Sequence, residues 1–227
     1  MLITIPDLLT PEEVAYIRQV LDGTQWIDGR NTAGDQAGKV KNNLQIPVDS
    51  PEARELGNIV LRALGRNPTY SSAALPAHVL PPMFNRYDEG MTFGAHVDGS
   101  IRVIPGTAQR IRTDVSTTIY LTPPEEYDGG ELVVHDTYGQ HAVKLPAGHA
   151  VVYPATSLHS VTPVTRGSRW ASFFWAQSML RDDWQRHMLY DLDMSIMRIR
   201  AMLPDDDPAV AGITAHYHNM IRHWAEI

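Results

Sequence analysis

The segment RWASFFWAQ, at residues 169–177, is the longest of eight short runs rich in β-branched and aromatic residues between residues 77 and 178. Proline and glycine separate the runs, as is typical of strands joined by turns. About eight short strands in such a segment predict a sandwich or jelly roll, not alternating strand–helix units. The other runs are MFNRY (83–87), FGAHV (93–97), VSTTIYL (115–121), GELVVHD (130–136), HAVKL (141–145), AVVYP (150–154) and HSVTPV (159–164).

Helical patterns flank this β-rich region. Residues 10–13 (TPEE) combine an N-cap, a proline at the first helical position and the returning half of a capping box, which predicts a helix from Pro11. Residues 50–52 (SPE) repeat the signal and predict a second helix that ends near Gly65. Beyond Leu180 apolar residues recur at helical spacing, so we expect two C-terminal helices.

The length and composition suit one packed globular unit. The chain has 227 residues, of which 43% are hydrophobic and 20% charged, which is enough for a sizeable core. We therefore expect an α+β protein with a jelly-roll core at residues 77–178. An entry strand and helices at residues 1–76 and a helical extension at residues 179–227 would pack on that core.

Charge and cysteine content exclude several classes of function. The chain has no cysteine, so disulfides, thiolate nucleophiles and iron–sulfur clusters are excluded, and nitrogen and oxygen atoms must hold any metal. Its net charge of −7 argues against nucleic-acid binding. No apolar run approaches the ~18 residues of a membrane span, and the first residues lack a signal-peptide pattern. We expect a soluble, cytoplasmic protein.

His96-Val97-Asp98 lies in a predicted strand. Because strand side chains alternate, those of His96 and Asp98 project from one face with Cα atoms roughly 6.6 Å apart. Such a pair also arises by chance on a surface, but a second histidine, His159, begins another predicted strand. Two histidines and one carboxylate on a β scaffold form the facial triad of non-haem Fe(II) oxygenases, whereas zinc hydrolases prefer a tetrahedral site.

Arg169 follows His159 by ten residues, on the next predicted strand, residues 168–177. A tight connection at residues 164–167 would return it to the metal site. A buried arginine there needs an anion, and a guanidinium suits the distal carboxylate of an α-keto diacid whose other end chelates iron. The alternative is an ion pair with a structural aspartate.

These residues carry a family resemblance. Together with NRY at 85–87 and GGEL at 129–132, they resemble the iron- and 2-oxoglutarate-dependent dioxygenases, and more closely the bacterial PKHD-type hydroxylases related to prolyl 4-hydroxylases. The resemblance covers nearly the whole chain and implies a double-stranded β-helix (jelly-roll) core. It implies that the two histidines and Asp98 bind Fe(II), that Arg169 binds 2-oxoglutarate, and that L-ascorbate supports turnover. Ala95 departs from close relatives, which often carry histidine there, but it is not a ligand position.

Three further side chains are candidates for the cosubstrate pocket. Asn85 and Tyr87 alternate onto one strand face and resemble residues that line this pocket in prolyl hydroxylase relatives. Thr118 shares a face with Tyr120, and both could contact the same carboxylate or pack below it. For Asn85 and Tyr87 the alternative is that they are ordinary half-buried strand residues.

Residues 101–113 contain Arg102, Arg110 and Arg112 and no acidic residue. A mobile basic loop after the metal strand would overhang the open coordination sites. We expect a substrate lid that favours an anionic partner, and the alternative is a solvated loop.

The resemblance implies hydroxylation by O₂ of a small-molecule or peptidyl substrate, with release of succinate and CO₂. Some bacterial relatives are associated with iron uptake, so a siderophore-linked substrate is as compatible with the resemblance as a peptidyl one. Three rival interpretations remain: a non-catalytic iron or 2-oxoglutarate sensor, a cupin-like metal enzyme that uses no keto acid, and a nucleic-acid dealkylase, against which the net charge of −7 argues. The C-terminal helix pair would serve either as the contact surface of a homo-oligomer or as a buttress.

Overall fold

The computed structural model describes residues 1–226. In this structure, each long helix begins after a residue whose side chain caps it. The hydroxyl of Thr10 accepts from the Glu13 amide and completes the predicted capping box, and Ser50 caps the second predicted helix. Aspartates 182 and 207 cap the two C-terminal helices. The α-helices are α1 (Pro11–Asp22), α2 (Asp35–Val40), α3 (Pro51–Gly65), α4 (Pro68–Ala74), α5 (Asp183–Arg200) and α6 (Pro208–Trp224).

Four α-helices precede the main strands, not the two that the sequence analysis predicts. The additional α4 carries the same signal as its predecessors, because Asn67 accepts from the Tyr70 amide and Pro68 occupies the first turn. The six-residue α2 lacks a side-chain cap, so the sequence has no capping signal that predicts this helix. The predicted extension ends at Ile227, which lies outside the described residues.

The strands form antiparallel sheets. The strands are β1 (Ile3–Ile5), β2 (Ile27–Asp28), β3 (Lys41–Asn42), β4 (Leu44–Gln45), β5 (Pro76–Val79), β6 (Met83–Tyr87), β7 (Thr92–His96), β8 (Ile101–Val103), β9 (Arg110–Arg112), β10 (Val115–Tyr120), β11 (Asp128–Gly129), β12 (Leu132–Asp136), β13 (Gly139–Val143), β14 (Ala150–Pro154), β15 (His159–Val161), β16 (Val164–Arg166) and β17 (Arg169–Ser178). An eight-stranded sheet has the order β1-β14-β10-β17-β6-β4-β2, with β5 also paired to β17; a five-stranded sheet has the order β13-β12-β15-β7-β3. The pairs β8–β9 and β11–β16 form two separate two-stranded sheets.

The two faces of the eight-stranded sheet have different partners. Ile119 of β10 and Phe174 of β17 pack with apolar residues of α1 and α3, such as Leu21 and Leu56. Each fully buried aliphatic side chain there contributes about 1.5–3 kcal/mol. Residues at the alternate positions of these strands, such as Tyr120, lie on the other face and pack against the five-stranded sheet. Strand alternation therefore directs polar side chains of β6, β10 and β17 into the space between the sheets.

The C-terminal helices pack on each other and on the end of α4. Leu189 and Ile196 of α5 and Tyr217 of α6 form one apolar cluster with Leu75 and Leu180. No helix within residues 1–226 is long and apolar enough to cross a membrane.

Gly129 ends β11 at a register shift in the pair β11–β16. Its φ of +70° lies in the left-handed region, and a Cβ there would stand 2.0 Å from the Pro163 carbonyl oxygen. We expect Gly129→Ala to lower the free energy of unfolding by about 2–3 kcal/mol or more, because strain and overlap add. Urea unfolding measures the change. Gly212→Ala, in a helix with open space around it, is the control and should be neutral or stabilising.

Candidate metal centre and its cavity

His96 and His159 face each other across the pair β7–β15. The two residues are register partners, and their ring centroids lie 4.3 Å apart. Both side chains are buried. Because directly opposed residues on antiparallel strands are close, this register brings together two histidines that are far apart in the sequence.

Hydrogen bonds leave the same ring nitrogen free on both histidines. His96 Nδ1 donates to the Gly94 carbonyl over 2.8 Å, and His159 Nδ1 donates to the Ser157 carbonyl over 3.0 Å. Carbonyls accept only, so each Nδ1 carries a proton, and in the neutral ring Nε2 has the lone pair that binds a metal. Burial and the neighbouring His159 lower the pKa of His96 to about 4. The ring is therefore neutral at neutral pH, as a metal ligand must be.

Asp98 completes the cluster from outside the strand. Strand β7 ends at His96, so the expectation that one strand carries both residues is wrong, although their side chains still converge. Asp98 Oδ1 lies 3.8 Å from His159 Nε2, and one ligand atom from each of His96, Asp98 and His159 falls within 4.8 Å of the others.

This donor set fits Fe(II). Two imidazole nitrogens and one carboxylate oxygen are the ligands of a facial triad, which leaves further positions open. Asp98 Oδ2 is buried and has no hydrogen-bond partner among the described residues. A buried carboxylate oxygen without a partner is costly, and a bound cation would remove that cost.

Arg169 opens β17, opposite Tyr87 of β6, and only 1% of its surface is exposed. Its guanidinium carbon lies 5.3 Å from the Tyr87 ring centroid and 5.1 Å from that of Tyr120. Within residues 1–226 its Nε lacks a hydrogen-bond partner, and none of the ion pairs involves it. The structural aspartate considered as its alternative partner is therefore absent from this part of the chain.

The phenols around Arg169 do not neutralise its charge. Burial raises the pKa of Tyr87 and Tyr120, and it raises the pKa of Tyr127 to about 12. All three rings are uncharged at neutral pH. A buried cation among neutral groups favours the binding of an anion.

One cavity of about 420 Å³ joins the metal cluster to Arg169, a volume suited to small ligands. Asn85, Tyr87 and Thr118, the three candidates for the cosubstrate pocket, all line it. Asn85 Oδ1 is buried without a hydrogen-bond partner within the described residues. The cavity therefore offers polar groups beside Arg169 for a polar guest.

The predicted basic loop is a hairpin, β8–β9. Of its three arginines, only Arg102 lines the cavity. Arg112 forms a bidentate pair with Asp114, with Nε 2.6 Å from Oδ1, and Arg110 is exposed. The structure does not bring Arg110 and Arg112 to the candidate site.

Sequence reasoning did not identify Lys41, a buried residue of β3 that also lines the cavity. Phe173, Trp175 and Tyr153 were likewise not proposed as cavity residues, although all three line it. Alternation from Arg169 along β17 could have found the first two, because residues 169, 173 and 175 share a face.

Family models match most of the chain. Residues 82–177 match the 2OG-Fe(II) oxygenase superfamily, and residues 183–226 match the PKHD-type hydroxylase C-terminal domain. A PKHD-type hydroxylase of Paracoccus denitrificans (strain Pd 1222) is 90% identical over 226 residues, which cover 100% of both chains.

Solved structures with a similar fold include two prolyl hydroxylases. A prolyl-4-hydroxylase of Pseudomonas putida superposes with a TM-score of 0.51 at 19% identity, over 78% of this chain and 92% of that one. A prolyl hydroxylase of Trichoplax adhaerens, in complex with a peptide fragment of a hypoxia inducible factor, gives a TM-score of 0.56 at 15% identity, over 83% and 86%. At these identities the likeness concerns the fold.

Proposed function

Because this chain belongs to the PKHD-type hydroxylases, which are 2-oxoglutarate-dependent Fe(II) oxygenases, we propose that its cavity hydroxylates a small or peptidyl substrate. The observation that carries the proposal is a cluster of His96, Asp98 and His159 in the same cavity as the unpaired cation Arg169. The enzyme uses Fe(II) and 2-oxoglutarate. Together with O₂, these supply the oxidant that inserts one oxygen atom into a C–H bond, as 2-oxoglutarate becomes succinate and CO₂.

In this proposal the chain holds the metal and orients it. His96 and His159 bind through Nε2, since the Gly94 and Ser157 carbonyls fix Nδ1 as the protonated nitrogen. Asp98 adds a negative charge that favours a divalent ion. The register of the opposing strands fixes both histidine rings on the cavity wall, where they would hold the metal.

Arg169 binds the distal carboxylate of 2-oxoglutarate in the same proposal. A guanidinium suits a carboxylate, and burial strengthens that interaction because competing water is excluded. Asn85, Tyr87 and Thr118 supply hydrogen-bonding groups around it, which is supported by their place on the cavity wall.

We also propose that the two large sheets form a double-stranded β-helix. The chain alternates between them: β6, β10, β14 and β17 lie in one sheet, and β7, β12, β13 and β15 lie in the other. The proposed divisions at residues 76 and 178 are supported by the ranges of the two family models, 82–177 and 183–226.

The proposal also includes a cytoplasmic location, a homo-oligomer and the use of L-ascorbate. Its substrate is a small molecule, which a link to iron uptake would make siderophore-related, or a peptide. A net charge of −7 favours a substrate other than nucleic acid. The named hydroxylase relative favours turnover over a non-catalytic sensor, and the unpaired Arg169 favours a keto-acid enzyme over a cupin-like one.

A turnover assay tests the proposal. Purified protein is incubated with Fe(II), 2-oxoglutarate, L-ascorbate and a fractionated extract of iron-starved or iron-replete cells. We expect succinate release with one fraction and a product heavier by one oxygen atom in mass spectrometry. A product among small molecules of the starved cells would favour the siderophore-linked class, and one among peptides the peptidyl class. Succinate formed equally by Asp98→Ala would refute the assignment of the site.

A further inference from the structure

Two cations other than Arg169 lie on the cavity wall: Lys41, which is buried, and Arg102, which is partly buried. Lys41 is on β3 and Arg102 on β8, and both line the cavity. They share Thr32, because Lys41 Nζ donates to its hydroxyl over 3.0 Å and Arg102 donates to its carbonyl over 3.5 Å. Sharing one residue holds two like charges close together.

Aromatic rings hold these cations in place without neutralising them. The Arg102 guanidinium carbon lies 3.9 Å from the Trp175 ring centroid. Lys41 Nζ lies 5.3 Å from the ring of Phe93 and 5.8 Å from the ring of Phe173. Cation–π contacts favour a fixed position for each charge but leave its counterion to come from elsewhere.

No ion pair within residues 1–226 involves Lys41 or Arg102. The acidic groups whose charge reaches Lys41 are Asp28 and Asp98. Asp28 is exposed and faces Arg30 over 3.7 Å, and Asp98 would be neutralised by a divalent metal. Metal binding therefore leaves an uncompensated pair of positive charges facing the cavity.

The pKa of Lys41 reflects a buried charge beside a second positive charge. Burial and the charge of Arg102 lower the pKa of Lys41 to about 8, against the opposing influence of the two aspartates. Arg102 Nε is buried without a hydrogen-bond partner in the described part of the chain. Lys41 Nζ already donates to Thr32 and Gln45, so a bound oxyanion would supply a negative charge to both cations and an acceptor to Arg102.

We propose that Lys41 and Arg102 bind an oxyanion of the substrate, a carboxylate or a phosphate group, and so select anionic substrates. This proposal rests on the proposed function. Phe93, which contacts the Lys41 ammonium, also stacks on His96 with ring centroids 3.6 Å apart. The anion would thus be held one aromatic ring away from the metal cluster, where it would position a neighbouring C–H bond near His96, Asp98 and His159. Arg169 remains for the cosubstrate.

Binding of simple anions to the loaded protein tests this site. The protein is loaded with Ni(II) in place of Fe(II) and with saturating 2-oxoglutarate, and the thermal midpoint is followed against inorganic phosphate or acetate at constant ionic strength set by chloride. We expect wild type to be stabilised by at least one of the two anions, which also distinguishes a phosphate from a carboxylate site. Lys41→Met and Arg102→Gln should weaken that binding by roughly 10-fold or more, because each removes a charge-assisted hydrogen bond.

Matched variants and a second readout separate this role from a structural one. Lys39→Met and Arg54→Gln remove exposed cations and should retain wild-type binding. Lys41→Met should also raise the thermal midpoint of the protein without ligands, since it removes an uncompensated buried charge; a structural lysine would give the opposite shift. Arg102→Lys should recover part of the anion affinity.

The remaining outcomes are also decisive. No stabilisation of wild type by either anion, or equal stabilisation of both variants, would overturn the proposal. Loss of the anion effect in Arg169→Gln alone would overturn it too, because the anion would then occupy the cosubstrate position. If wild type fails to respond to 2-oxoglutarate while anion binding still depends on Lys41 and Arg102, the anion site stands and the proposed function fails.

Discussion

Asp98→Ala is expected to abolish 2-oxoglutarate-dependent succinate release and to weaken Fe(II) binding more than about 100-fold. Loss of an outer partner of a metal ligand already costs 10–100-fold in affinity or activity, and this change removes the only carboxylate of the cluster. The two histidines would remain, but with no negative charge beside the metal. Anaerobic titration with Fe(II) measures the affinity, and succinate release measures the activity.

His96→Ala is expected to give the same loss by removing one nitrogen ligand. Asp136→Asn is the control, because Asp136 is exposed and lies on a strand paired with the strand of His159. Circular dichroism shows whether each variant is folded. Metal affinity retained by both cluster variants would mean that another group holds the ion.

Arg169→Gln is expected to raise the concentration of 2-oxoglutarate needed for half-maximal rate by about 30-fold or more. Truncating one partner of a buried charged pair costs about 2–5 kcal/mol in binding, and 2 kcal/mol corresponds to about a 30-fold change. The anaerobic affinity of the metal-loaded protein for 2-oxoglutarate gives the same information without turnover. Fe(II) binding itself should change little, because Arg169 is not in the metal cluster.

Stability distinguishes the two possible roles of Arg169. If Arg169 serves only to bind an anion, the protein without 2-oxoglutarate carries an uncompensated buried charge. The Arg169→Gln variant should then unfold no more easily than wild type. Arg166→Gln is the control: Arg166 is exposed and paired with Asp128, on the strand before β17. An unchanged 2-oxoglutarate affinity together with a large loss of stability would make Arg169 a structural residue.

Local chemistry explains why much of the fold could be predicted. The helices α1 and α3 follow from a capping residue and a proline within four positions, and the strands β10 and β17 follow from β-branched and aromatic runs. These signals depend on neighbours in the chain. The same alternation correctly placed Asn85 and Tyr87 on one face of β6, because a strand has only two faces.

Other features depend on contacts between distant segments. The strands β2, β3 and β4 have two residues each, which is too few to show a hydrophobic period. The sequence therefore predicts no strand at Lys41. The register of His96 with His159 is set by strand pairing across the sheet. Arg102 stacks on Trp175, whereas Arg112 pairs with Asp114. These contacts depend on how the hairpin packs on the sheet, which spacing along the chain does not encode.

Strand β17 has a practical consequence for redesign of the enzyme. Arg169 and Trp175 are six residues apart on it, about 20 Å along a strand, and β10, β6 and β5 pair with that strand. Mutations there disturb several ladders at once. Lys41 and Arg102 instead belong to short peripheral strands, so mutant libraries that seek new substrates belong in β3 and β8, where they leave Arg169 and its strand intact.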